Sequence, residues 1–74
     1  MLYIATLDTR HWSFMSSGET EQEAREALEA GWAKHAKQCG PHLVDGFGEY
    51  ADSVRVDQIS AGQCLRDGIP ITEG

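Results

Sequence analysis

The sequence predicts an α+β fold in a single domain spanning residues 1–74. An N-terminal β-hairpin leads into one long helix and then one or two C-terminal strands, with the helix packed on a mainly antiparallel sheet. Three observations predict it. Apolar residues alternate with period two through residues 2–16, a capped helical stripe runs from Thr20 to Cys39, and strand-forming residues return after residue 53.

In the first strand Leu2, Ile4 and Thr6 alternate with Tyr3, Ala5 and Leu7. Both sets contain apolar residues, so this strand is expected to be covered on both faces or to lie centrally in its sheet. Asp8-Thr9-Arg10 supplies turn chemistry. The second strand is expected from His11 to Ser16, with Trp12 and Phe14 on the core face and His11, Ser13 and Met15 on the other.

Ser16-Ser17-Gly18 ends that strand. Thr20-Glu21-Gln22-Glu23 fits a capping box, in which Thr20 accepts from the Glu23 amide and Glu23 reaches back to Thr20. Glu19, Glu21, Glu23 and Glu26 lie near the positive end of the helix dipole, and Lys34 and Lys37 lie near its negative end. Gly40-Pro41 is a stop signal. Between them Ala24, Ala27, Leu28, Gly31, Trp32, His35, Ala36 and Cys39 form one broad stripe at helical spacing.

Residues 41–52 fit either a loop anchored by Phe47 or a short helix. Strand character resumes over 53–59. Gln63-Cys64-Leu65-Arg66 suits a further short strand, Asp67-Gly68 a turn, and Ile69-Pro70-Ile71 an edge segment where proline's missing N–H is tolerated.

Composition narrows the function. Twelve acidic residues oppose six basic ones, for a formal charge of −6. Such a surface is repelled by phosphate backbones and by anionic membranes, so neither nucleic acid nor a membrane is an expected partner. No run approaches the ~20 apolar residues that span a bilayer. The start has no basic leader, which predicts a cytoplasmic protein with its cysteines as thiols. A core this small buries only about 60% of the chain's surface, which makes a homodimer plausible.

The constellation with metal-ligand character is His35, Cys39 and His42, with Cys64 distant in sequence. Zinc takes four such ligands, although the spacing matches no common zinc-finger pattern. The bland alternative places Cys39 in a small buried position and His42 in a solvated loop. A Cys39–Cys64 disulfide is a further alternative. Nucleophilic chemistry at Cys64 would need an oriented base that the sequence does not place beside it. Gly46-Phe47-Gly48 lacks the context of a phosphate loop. No cofactor and no enzymatic activity are expected.

Trp12, Phe14 and Trp32 are expected to join in one core, with an exposed tryptophan serving as an interaction anchor as the alternative. The leading expectation is a non-enzymatic protein-interaction module that inhibits or regulates a basic partner. Glu19, Glu21, Glu26 and Glu29 would supply charge, and Trp12 or Trp32 contact area. A small-ligand or metal-binding domain is the alternative.

The stretch Met15-Ser16-Ser17-Gly18-Glu19-Thr20-Glu21-Gln22-Glu23-Ala24, followed by Ala27-Leu28, resembles the strand-to-helix junction of HicB-like antitoxins. It implies a small sheet-and-helix domain with an antitoxin role. The Asp8-to-Ser17 hairpin, the Thr20 capping box and the Gln63-Cys64-Leu65-Arg66-Asp67-Gly68 ending also resemble short acidic orphan proteins of phages and integron gene cassettes. That second resemblance implies no activity.

Overall fold

The computed structural model describes residues 1–40, 44 and 46–71. Strands β1 (Leu2–Asp8) and β2 (Ser13–Gly18) form the N-terminal hairpin, followed by helix α1 (Glu21–Cys39). Two 3-10 turns, Phe47–Glu49 and Ala51–Ser53, lead into β3 (Arg55–Ile59), and a small hairpin of β4 (Leu65–Arg66) and β5 (Ile69–Pro70) closes the chain. β1 is the centre of a three-stranded antiparallel sheet in the order β2-β1-β3. The expected α+β architecture, with the helix on an antiparallel sheet, is the one observed.

The central place of β1 explains why both of its faces are apolar. Register sets Tyr3, Ala5 and Leu7 on one face, beside Gly18, Ser16 and Phe14 of β2 and with Val56 of β3 opposite Ala5. α1 covers this face with Ala24, Leu28 and Trp32, spaced four apart, and together with Ala5 and Leu7 they make the buried core. The helical stripe is narrower than expected: Ala27, Gly31 and Cys39 are exposed.

The space between helix and sheet is filled by small groups at one end and rings at the other. Near the start of α1, the Ser16 hydroxyl donates to the Ala24 carbonyl at 2.6 Å. There a Cβ on Gly18 would sit 2.5 Å from the Ala24 nitrogen and 2.8 Å from the Glu23 Cβ, so this close approach requires glycine. Two turns on, Trp32 packs its ring against Phe14 at 5.1 Å, Tyr50 at 5.1 Å and Phe47 at 6.1 Å. Residues 47–53 are therefore brought in by their aromatics, as 3-10 turns rather than a single short helix.

Several boundaries differ from expectation for local reasons. β2 begins at Ser13 rather than His11 because Thr9 and Trp12 close the hairpin loop on themselves. The Thr9 amide donates to the Trp12 carbonyl at 2.8 Å, and the Trp12 amide donates to Thr9 Oγ1 at 3.1 Å. At the helix start the Glu23 amide donates to Thr20 Oγ1 at 3.0 Å, but the Glu23 carboxylate accepts from the Glu19 amide at 3.2 Å rather than from Thr20. Asp67 and Gly68, at φ 54° and 80°, form the positive-φ turn that suits a two-residue hairpin.

Trp32→Ala is expected to remove about 3–5 kcal/mol, a large share of the roughly 4–11 kcal/mol available to a chain of this size. Trp12→Ala should remove about 1 kcal/mol, the order of one exposed aromatic contact. Urea denaturation of the two variants measures this, and equal losses would contradict the packing described.

Candidate functional site

The residues expected to act together are dispersed. Trp32 is 6% exposed and belongs to the core, so the expectation that it offers contact area to a partner is corrected. Trp12 is 54% exposed and is the tryptophan that presents surface. It sits at the tip of the first hairpin, edge-on to His35 at 4.9 Å. With Arg10, His11, Trp32, His35 and Tyr50 it lines a shallow cleft of about 170 Å³. The aromatic alternation in the sequence could not separate the two tryptophans. By alternation Trp12 falls on the same side as Phe14, but it lies in the loop, beyond the last ladder pair of the hairpin.

Glu21, Glu26 and Glu29 occupy the opposite half of α1. Glu29 precedes His35 by six residues, about 9 Å along the helix axis, so Trp12 and the acidic group form separate surfaces. Glu21 is already engaged by Arg25 at 3.3 Å, an exposed pair in which each charge offsets the other. Glu19 lies just before the helix. Glu26 accepts from Gln22 Nε2 at 2.9 Å, which fixes its carboxylate on the helix flank. Glu26 and Glu29 border a groove of about 220 Å³ that also includes Gln22, Arg25, Phe47, Ala51 and Val54. The sequence pointed to these carboxylates but not to the apolar floor beside them. That floor depends on how the 3-10 turns dock, and their spacing carries no strong period.

The metal-ligand set is not assembled. His35 Nδ1 lies 3.6 Å from Cys39 Sγ, as their spacing of four on the helix requires. Cys64, however, lines a groove with Ile4, Thr6 and Met15 on the sheet face turned away from α1. The sheet stands between Cys64 and the helical pair. His42 lies outside the described residues. Among the described residues, no group of three or more His, Cys, Asp or Glu side chains could hold a metal ion. Cys39 and Cys64 are both free and exposed, so the disulfide alternative is corrected for the same reason of placement.

The third surface is the sheet face turned away from α1. Leu2, Ile4 and Thr6 of β1, Met15 and Ser17 of β2, and Arg55, Asp57 and Ile59 of β3 point away from α1. The turn of the β4–β5 hairpin rests on this face: a Cβ on Gly68 would run into the side chains of Arg55 and Asp57. Arg55 pairs with Asp57 at 3.0 Å, so the charges beneath the turn cancel. Among the described residues no helix is long and apolar enough to cross a membrane.

Comparison with protein-family models, with curated proteins and with solved structures gave no match.

Mild oxidation is expected to leave the two cysteines unlinked within one chain, because the sheet separates them. Peptide mapping under non-reducing conditions measures this, and a Cys39–Cys64 linked peptide from monomeric protein would contradict the placement.

Proposed function

We propose that this chain is a non-enzymatic protein-interaction module that captures a basic segment of a partner protein and thereby inhibits or regulates it. The observation that carries this reading is the groove on the flank of α1. Phe47, Ala51 and Val54 give it an apolar floor, and Glu26 and Glu29 give it a carboxylate rim. A lysine or arginine side chain suits that combination: its aliphatic stem lies along apolar surface while its charged head meets carboxylates. Arg25 does not cancel the rim, because it is paired with Glu21.

The formal charge of −6 supports the same reading at longer range, since it draws a basic partner toward the surface before contact. Glu19 adds to that field without bordering the groove. Trp12, exposed at the tip of the first hairpin, offers a second contact for a partner that reaches it. An antitoxin-like inhibitor, as the junction around Thr20 implies by resemblance, is one form of this module.

The test uses a fluorescently labelled, unstructured peptide rich in lysine and arginine, with binding read by anisotropy. Glu26→Gln combined with Glu29→Gln is expected to weaken binding roughly 3- to 10-fold, the order expected from two exposed ion pairs. Raising salt from about 50 to about 300 mM should weaken the unaltered protein as well, because exposed charges are screened. An affinity unchanged by the double substitution would overturn the assignment of the groove.

A further inference from the structure

We propose that the cleft between the tip of the first hairpin and α1 binds a small aromatic carboxylate, with its ring against Trp12 and its carboxylate on Arg10. This inference is independent of the helix-flank groove and rests on different residues. The cleft holds about 170 Å³, and Arg10, His11, Trp12, Trp32, His35 and Tyr50 are among its lining residues. An apolar cavity of roughly 150 Å³ takes up one benzene molecule, so this space suits a single six-membered ring rather than a larger ligand.

The walls are rings already held in place. His35 lies edge-on to Trp12 at 4.9 Å and to Phe14 at 5.1 Å, and Trp32 packs against His35 at 5.6 Å and Tyr50 at 5.1 Å. The loop that carries Trp12 is closed by Thr9, whose amide and hydroxyl both donate to the Trp12 carbonyl. A flat aromatic guest therefore meets ring edges and faces, and little further ordering of the protein opposes it.

The charges select an anion. None of the described residues lining the cleft is acidic, in a chain with twelve acids and six bases. Arg25 is held by Glu21 and Arg55 by Asp57, whereas Arg10 is exposed and has no ion-pair partner among the described residues. Asp8, two residues before it, falls with Thr6 on the other face of the sheet and accepts from the Ser13 hydroxyl. A guanidinium grips a carboxylate through two parallel N–H donors, and His11 adds an imidazole N–H in either protonation state. Arg10 and Trp12 stand two apart in one closed loop, so a ring bearing a carboxylate meets both.

Proton–nitrogen correlation NMR of the full chain, titrated with sodium benzoate at constant ionic strength, tests the proposal. Benzoate is expected to shift the Trp12 indole N–H and the amides of residues 9–12, saturating with a dissociation constant in the millimolar range, as suits so small a ligand. Arg10→Gln should weaken it about 5- to 10-fold, the order of one exposed charge-assisted contact. Arg66→Gln, an exposed arginine outside the cleft, should leave the affinity unchanged. Acetate, with charge but no ring, and benzamide, with a ring but no charge, should each bind at least about 5-fold more weakly than benzoate. Absence of saturable shifts by about 50 mM benzoate would overturn the proposal. So would equal losses in the two arginine variants, benzamide bound as tightly as benzoate, or acetate bound as tightly, which would mean an adventitious ion only.

Discussion

One helix lies on one face of a three-stranded sheet, and the other features of the molecule follow from that contact. Among the described residues the five buried apolar ones all lie in β1 or α1, and the partly buried Tyr3, Phe14, Phe47, Tyr50, Val54 and Val56 ring them. The contact depends on a gradient of side-chain size. Gly18, Ser16, Ala5 and Ala24 allow the start of α1 to approach the sheet closely, and Trp32 with its neighbouring rings fills the space further along. Hydrophobic burial supplies the main stabilisation, and the Ser16–Ala24 hydrogen bond helps fix where the helix sits on β2.

Much of this was legible in the sequence because local chemistry encodes it. Alternation marked β1, the Thr20 cap and Gly40 bounded α1, and Asp67-Gly68 marked the last turn. The apolar character of both faces of β1 pointed to its central place. What the sequence did not reveal depended on contacts between distant segments. Trp12 and Trp32 carry the same chemistry, and only the docking of α1 beyond the end of the hairpin ladder leaves one exposed and the other buried. The stripe on α1 read too wide because Ala27, Gly31 and Cys39 suit a buried or an exposed position equally well. The 3-10 turns were ambiguous because Phe47 and Tyr50 are held by Trp32 rather than by any local period.

The candidate surfaces were legible to different degrees. The acidic character of the helix was plain, but its division into Glu21 paired with Arg25, and Glu26 and Glu29 beside an apolar floor, required the fold. The sequence set Met15 on the face away from the core, where it lies, whereas the apolar character of both faces of β1 left the side of Ile4 open until α1 docks on the other.

The side of the sheet on which α1 rests is the claim everything else depends on, and nuclear Overhauser contacts between side-chain protons measure it directly. Contacts are expected from Leu28 and Trp32 to Ala5, Leu7 and Phe14, and none within a chain from those two residues to Ile4 or Met15. Intrachain contacts from Leu28 or Trp32 to Ile4 and Met15 would contradict this placement and would put the helix on the opposite face of the sheet.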